Sequence, residues 1–519
     1  MCGILFTNKP SHNKNQFLEV LRLMEHRGPD VIGCYAEYNT SKLGHNRLRI
    51  LDLRNRSNQP FISQDNKYVI VYNGEIYNYM ELAKKYDIPM KTKCDTELIV
   101  NLYSKLGSQM LNLLNGMFAF VILNIEKSEV FIARDRLGIK PLYFAKEGDY
   151  ITVASEIAPL LDLIGEKGFD MIGLRQYRKL RTFFGGRTPY LGISMFPAGH
   201  FMFNGKLQSY WQLEEGSQPP PEDEEIEFLI KSAVDYRCIS DVEVGSYLSG
   251  GLDSTIIAAL SSKPHTWTVG FEKDNEFEWS RLASERLATI HSEVLIEPQE
   301  FLSLTKEMIL ERKEPLSVPN EVPLLKMTRE VKVENTVILS GEGADELFFG
   351  YDRIFRWAAS SDWNIEEFDS LYCYGSHDDI EIVEDVLSPF NCFEKAIDRV
   401  AAFFQTDHLH GLLRRLDNST MRCSVEARVP FVDHRLIERM AGVTINYRME
   451  NGEVKAPLKR IFHKLLPKQI VDREKIGFPV PLDMIDFGDS VEGSSSMDRW
   501  LEFNLNVLTG GSWSKQDIY

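Results

Sequence analysis

Along the first half of the chain, apolar residues come in short runs broken by turn formers, at 68–72, 117–123, 130–133 and 142–145, with few long helical periods between them. Runs of that length, rich in β-branched and aromatic residues, predict strands packed as antiparallel sheets. The pattern stops at Glu214. Residues 214–225 (EEGSQPPPEDEE) combine acids with prolines, which stiffen and solvate a chain, and so predict a linker. Beyond it the period changes. Strand-like 244–248, 266–271 and 336–339 alternate with helical 254–262, 278–287 and 323–331, which predicts a doubly wound parallel sheet. Residues 394–467 read as mainly helical. Residues 488–519 read as a Ser- and Gly-rich tail with one amphipathic piece at 498–508, to which the pattern assigns no role. The predicted division is therefore 2–213, a linker at 214–225, a second domain at 226–487 and the tail.

Composition narrows the function classes. Of 519 residues, 43% are apolar and 26% charged, ordinary values for globular domains, and the length predicts two or three of them. Lys and Arg total 59 against 76 Asp and Glu, a net charge of −17, with no basic cluster that could neutralise a run of phosphates. Nucleic acid is thus not an expected partner. Apolar runs such as 116–123 fall far short of the roughly 20 residues of a membrane span, and the N-terminus lacks a charged-then-apolar leader. A cytoplasmic chain without membrane contact is expected. The seven cysteines include no Cys-x-x-Cys pair, which argues against a disulfide framework or structural zinc. Cys34, Cys94, Cys238, Cys373, Cys392 and Cys423 are expected to pack as small buried hydrophobes.

Cys2 differs because of where it stands. Loss of Met1 leaves its thiol beside its own α-amino group, which titrates at roughly 7.7–8.0 against roughly 8.5 for a thiol, so the amine can accept the thiol proton near neutral pH. Alone, a cysteine at position 2 reads as an accident more readily than as a nucleophile. It is followed, however, by HRGPD at 26–30, NRLRI at 46–50, NGEIYN at 73–78, DTE at 95–97 and RDRLGIKPLY at 134–143. In order these resemble the glutaminase domain of class II glutamine amidotransferases, an α+β, Ntn-hydrolase-type sandwich of antiparallel sheets flanked by helices. Cleaving free glutamine requires a cation for its α-carboxylate, an anion for its ammonium, and donors for the oxygen that turns negative. The resemblance gives these roles to Arg47, to Asp95 with the Glu75 backbone, and to Asn73 with the Gly74 N–H, beside catalytic Cys2. Read without it, Asn73-Gly74 predicts a type I′ hairpin turn after a strand at 69–72, and the two readings are compatible. Residues 26–30 are expected only to frame the pocket as a rigid Gly-Pro turn.

In the second half, SGGLDS at 249–254 follows a predicted strand and opens a helix, an arrangement that offers main-chain N–H groups to an anion. It lacks the P-loop spacing, which disfavours γ-phosphate transfer. LSGEGADE at 339–346 again follows a strand and gathers carboxylates suited to Mg2+ on phosphate oxygens. With SVEARVPFVDH at 424–434 and KAPLK at 455–459, these resemble the synthetase domain of glutamine-hydrolysing asparagine synthetases, of the ATP-pyrophosphatase group. The resemblance spans nearly the whole chain and implies an α/β second domain, a doubly wound parallel sheet with a helical extension. By resemblance, Ser249, Gly250, Gly251, Asp253 and Ser254 receive pyrophosphate, while main-chain groups at Leu248, Val269, Ser340 and Gly341 hold the adenosine end of ATP. Asp253 and Asp345 would take Mg2+, Lys455 would neutralise departing pyrophosphate, and Glu342 would lie where an acyl-adenylate is attacked. Without the resemblance, Lys455 reads as a solvated helix charge.

The implied reaction joins the halves. Cys2 forms a thioester with glutamine, glutamate leaves, and ammonia crosses an internal apolar passage, since water would protonate it to a non-nucleophilic ammonium ion. MgATP activates a carboxylate as an acyl-adenylate, which ammonia converts to an amide, leaving AMP and pyrophosphate. L-aspartate is the expected acceptor and L-asparagine the product. Some bacterial asparagine synthetases carry an arginine in the acceptor segment matching 314–323, whereas EPLSVPNEVP has none, which leaves Arg312, Arg329 or Arg353 as candidates. Two other readings stay open: the same chemistry on another carboxylate, such as a surface-polysaccharide sugar acid, and a non-catalytic sensor of glutamine or nucleotide. A homo-oligomer is left open as well.

Overall fold

The computed structural model describes residues 2–511 apart from 166, 215–217, 263–264, 375–378, 474–476, 478–479, 489–490, 492 and 494. Its N-terminal half contains two six-stranded antiparallel sheets. One has the order β10 (Ser194–Met195), β8 (Tyr143–Glu147), β9 (Tyr150–Ala154), β1 (Gly3–Thr7), β3 (Ser41–Arg47), β2 (Val31–Tyr38). The other runs β12 (Lys206–Ser209), β11 (His200–Phe203), β7 (Val130–Arg134), β6 (Gly116–Asn124), β5 (Tyr68–Ile76), β4 (Phe61–Ile62).

Side chains alternate across each strand, and here both sets are apolar. Ile4, Phe6 and Leu43 of the first sheet meet Val69, Val71, Ala119 and Val121 of the second. On the outer face of the second sheet, Ile70, Tyr72, Phe118 and Phe120 lie under Leu98, Ile99 and Leu102 of the helix Asp95–Leu106. Beyond the first sheet, Leu5, Tyr143 and Ala154 pack on Phe17 and Leu21 of the helix Lys14–Arg22 and Leu160 of the helix Ile157–Ile164. The result is the expected sandwich flanked by helices, in four layers. Those covering helices are what the strand-dominated reading of the first half underweighted.

The second half is built on a five-stranded sheet, β15 (Ile290–Leu295), β14 (His265–Gly270), β13 (Val244–Tyr247), β16 (Val337–Leu339), β17 (Glu426–Arg428), with every pair parallel. The chain winds outward from β13 through β14 to β15, then returns to β16 on the other side. The order reverses between β13 and β16, and the loops leaving these two strands face each other there, the place where open α/β sheets bind ligands.

Strand β17 falls in the stretch predicted as helical. Its Glu-Ala-Arg sequence gives no apolar signal, because Glu426 and Arg428, both fully buried, satisfy one another (Arg428 Nε to Glu426 Oε1, 2.6 Å). The part of the predicted linker at 218–225 is tethered to the second half rather than free in solvent. Gln218 donates to the Glu438 carbonyl (3.1 Å), Arg439 pairs with Glu225 (2.7 Å), and the helix Asp223–Arg237 starts inside the predicted segment. Likewise, the helix Ser496–Thr509 buries Trp500, Leu501 and Leu505, and Asn504 Oδ1 accepts the Leu316 N–H (2.9 Å), which ties it to the second domain's core. Of the predicted tail, residues 489–490, 492, 494 and 512–519 lie outside the described residues. All seven cysteines are free, but of the six expected to be buried only Cys94 is: Cys34, Cys238, Cys373 and Cys423 are partly buried, and Cys392 is exposed just past the short turn Ser388–Phe390.

Candidate active sites

Cys2 stands at the head of β1, buried, and its main-chain N–H donates to Asn73 Oδ1 at 3.0 Å. With that oxygen committed, the other end of the amide is fixed: Asn73 Nδ2 is buried with no hydrogen-bond partner among the described residues. The hairpin reading of Asn73-Gly74 fails. β5 runs on to Ile76, with Asn73 opposite Ala119 and Gly74 opposite Phe118, because pairing with the long β6 outweighs the turn preference of the dipeptide. Gly74, at φ +157°, has no room for a side chain, since a Cβ would lie 2.1 Å from the Met117 carbonyl oxygen.

Asp95, the first residue of its helix, is pinned against β5 by the Tyr72 hydroxyl (2.7 Å) and the Ile76 N–H (2.8 Å), which places it beside Glu75. Burial pushes both carboxyls up; Asp95 adds to the rise at Glu75, while hydrogen bonds from the Ile76 N–H and the Tyr72 hydroxyl oppose it at Asp95. The Arg47 guanidinium is held by main-chain oxygens of Leu51, Asp52 and Arg54 and by Asn58 Oδ1, at 2.7–3.1 Å. Among the described residues no carboxylate pairs with it. Burial also pushes the Cys2 thiol up, with a Leu48 main-chain hydrogen bond and nearby Arg47 acting in the opposite sense.

Arg27 was missed by the sequence reading, which treated its segment as a frame. Its fully buried guanidinium donates to the Cys2 carbonyl (3.2 Å), to Glu156 (3.0 Å) and to Asp417 of the second domain (2.9 Å). The HRGPD motif was the signal available for it.

In the second domain the loops after β13 and β16 touch: a Cβ on Gly341 would lie 3.1 Å from both Asp253 Cβ and Ser254 N. Ser249 and Ser254 bond through their hydroxyls (3.1 Å), Ser249 Oγ accepts the Gly251 N–H, and Gly251 caps the helix Leu252–Leu260. Gly250, at φ +73°, packs so tightly on Trp279 that no side chain fits. Leu248 and Val269 line the ends of β13 and β14, with Leu248 N–H on the Trp267 carbonyl, and Ser340 N–H is accepted by the Arg428 carbonyl (2.9 Å).

Lys455 is no solvated helix charge. It is only 6% exposed, precedes the helix Ala456–Phe462 at φ +57°, and its ammonium joins Asp253 (2.5 Å) and Asp345 (2.6 Å). The two carboxylates hold its pKa well above the ordinary lysine value despite burial. Two carboxylate oxygens converging on one cation suit a hard metal ion too. Among the described residues no three acidic, His or Cys side chains converge on a point, so such an ion would depend on phosphate oxygens for its remaining ligands. Glu342 pairs with Arg415 (2.8 Å), whose other nitrogen reaches Asn320 Oδ1 (3.2 Å). Of the expected acceptor arginines, Arg312 is held by Glu321 and the Pro315 carbonyl, Arg329 pairs with Glu307 at the surface, and Arg353 is exposed. The sequence reading missed Arg415 and Asn320, since nothing local marks either.

The asparagine synthase family model matches residues 225–493, and the glutamine amidotransferase domain model matches residues 1–211. The chain belongs to the asparagine synthetase family. Its relatives include asparagine synthetase B (glutamine-hydrolysing) of Escherichia coli, 29% identical over 94% of this chain and 83% of that protein. Glutamine-hydrolysing asparagine synthetases 1 and 3 of Bacillus subtilis are 28% and 27% identical, over 93% and 92% of this chain and 87% of each relative. As a member of the asparagine synthetase family, the chain combines glutamine-dependent amidation with use of ATP. Among the described residues no helix is long and apolar enough to cross a membrane.

Proposed function

We propose that this protein transfers the amide nitrogen of glutamine to L-aspartate in the cytoplasm, consuming ATP and releasing L-asparagine, glutamate, AMP and pyrophosphate. The observation that carries the reading is the Asn73 side chain, with its oxygen bound to the Cys2 nitrogen and its Nδ2 buried with no partner among the described residues. A buried donor left unpaired is costly, and here it lies beside a thiol, where a tetrahedral oxyanion would complete it.

Once Met1 is removed, the Cys2 amine accepts the thiol proton, and the sulfur attacks the glutamine side-chain carbonyl. Asn73 Nδ2 and the Gly74 N–H receive the oxyanion; Arg47, a buried cation with no carboxylate partner among the described residues, takes the substrate carboxylate, and Asp95 with the Glu75 main chain takes the ammonium. Ammonia leaves as the thioester forms, and water later frees glutamate. Supporting an apolar route onward, Met117, Leu137 and Ile139 of the first half share one core with Leu339, Val425, Ala427 and Val429 of the second.

At the second site the 249–254 loop receives the pyrophosphate end of ATP, main-chain groups at Leu248, Val269, Ser340 and Gly341 hold the adenosine end, and Lys455 offsets the charge that develops as pyrophosphate departs. Asp253 and Asp345 would hold Mg2+ with phosphate oxygens, and that ion would spread the triphosphate charge. Glu342 lies where ammonia meets the acyl-adenylate, and Arg415 and Asn320 beside it are polar groups available to the acceptor.

The test is product analysis with glutamine, MgATP and a panel of carboxylates. Asparagine and AMP from aspartate are expected. Intact glutaminase activity without asparagine would favour the sugar-acid reading, which the arginine-free 314–323 segment keeps alive. Neither glutamine hydrolysis nor pyrophosphate release with any acceptor would favour a sensor.

A further inference from the structure

The fork of Arg27 reaches into both domains. One nitrogen holds the carbonyl of Cys2, so the guanidinium sets where the main chain of the nucleophile sits; another is held by Asp417, 390 residues away on the helix Leu409–Met421. Asp417 is 3% exposed, and its second oxygen faces Lys140 (3.4 Å), so both of its oxygens are occupied by cations of the glutaminase half. A buried ion pair of this kind contributes little net stability, because desolvation offsets most of the attraction; what it fixes well is geometry.

The same helix has a second attachment. Two residues before Asp417, Arg415 binds Glu342 and Asn320 at the synthetase site. One helix is therefore anchored at the acyl-adenylate end by Arg415 and at the glutaminase nucleophile by Asp417 through Arg27. It emerges from a π-helical turn, Phe404–His408, an irregularity that inserts a residue into the helical register and recurs at functional sites.

We infer that Asp417 is a positioning residue for glutamine cleavage, supplied by the synthetase domain, which makes the placement of Cys2 depend on the helix that also holds Glu342. This rests on the reading of Cys2 as the glutamine nucleophile. A merely structural ion pair predicts that both activities fall together when it is broken. A positioning role predicts a split, because ammonium-driven synthesis does not use Cys2.

The experiment uses the full chain and measures kcat and KM for glutamine hydrolysis alongside ammonium-dependent pyrophosphate release with MgATP and aspartate. Asp417→Asn should lower glutamine kcat by about tenfold or more, with KM and the ammonium-dependent rate within about twofold of wild type, and Asp417→Glu should recover most of the loss. Unchanged kcat in Asp417→Asn, or loss of both activities in step, overturns the inference. Should Asp417→Asn prove insoluble, Arg27→Lys carries the same test: a selective fall in glutamine kcat supports the inference and a parallel fall sinks it. A wild-type protein that does not hydrolyse glutamine, or a Cys2→Ala variant that still does, would defeat the underlying reading instead.

Discussion

The Lys455 ammonium lies 2.6 Å from Asp345, and both close over Gly350, where a Cβ would come within 1.8 Å of Asp345 Oδ1 and 2.2 Å of Lys455 Cε. The contact is possible only because position 350 has no side chain. Gly350→Ala should displace one partner or the other, with overpacking that costs about 1–3 kcal/mol and a marked loss of ATP-dependent activity, while glutamine hydrolysis continues. Thermal melts together with separate assays of the two half-reactions check this.

Lys455→Met removes the cation from between two carboxylates. Pyrophosphate release should fall by about 100-fold or more, with the glutaminase rate within about twofold of wild type, as measured by phosphate-coupled and glutamate assays.

Cys2→Ala should abolish the use of glutamine and spare synthesis from ammonium salts. An N-terminal extension that converts the Cys2 amine to an amide should have the same effect with the thiol still present, since burial pushes that thiol up and leaves little thiolate without an adjacent base. Mass spectrometry checks this: an acyl-sulfur adduct should be trapped on the wild type and on neither altered form.

Asn73→Ala should reduce glutamine kcat by roughly 100- to 1000-fold with a small change in KM, because Arg47 and Asp95 still hold the substrate's ends. Steady-state kinetics of glutamate formation reports the split that the proposed roles of Arg47 and Asp95 imply.

Burial alone would raise the Glu156 carboxyl, but His26 and Arg27 hold it at about 2, against 4.5 for the unperturbed group. A depressed carboxylate stabilises the fold above its unfolded value, and that contribution disappears as pH falls from about 4.5 through 2. It amounts to about 3 kcal/mol by linkage. In urea titrations Glu156→Gln should therefore be less stable than wild type at pH 6, with the gap narrowing toward pH 2.5.

The architecture was legible where strands carried unbroken apolar runs, as in β5, β6 and β16, and where glycines followed a strand. It was not legible at β17, whose charged residues neutralise each other inside the protein, nor at the docked segment 218–225, whose prolines and acids look identical whether free or held by Arg439. The candidate site followed the same rule. Cys2, Asn73 and the 249–254 loop sit in contiguous motifs, so sequence finds them. Arg27 and Asp417 gain meaning only from each other, 390 residues apart and across the domain boundary, Arg415 only from Glu342 and Asn320, 73 and 95 residues away, and the turn preference of Asn73-Gly74 misled because a neighbouring strand overrides it.

Ser340 takes its main-chain partner from Arg428, whereas all twelve strands of the two antiparallel sheets lie before residue 210. On the ribosome, therefore, the first half can close while the loop after β16 still waits for its last support, since Arg428 follows residue 210 by about 10–40 s at ordinary elongation rates. From the synthesis of β16 until β17 follows, its edge stands unpaired, so nascent chains stalled between these two strands are the species in which chaperone dependence and aggregation should concentrate.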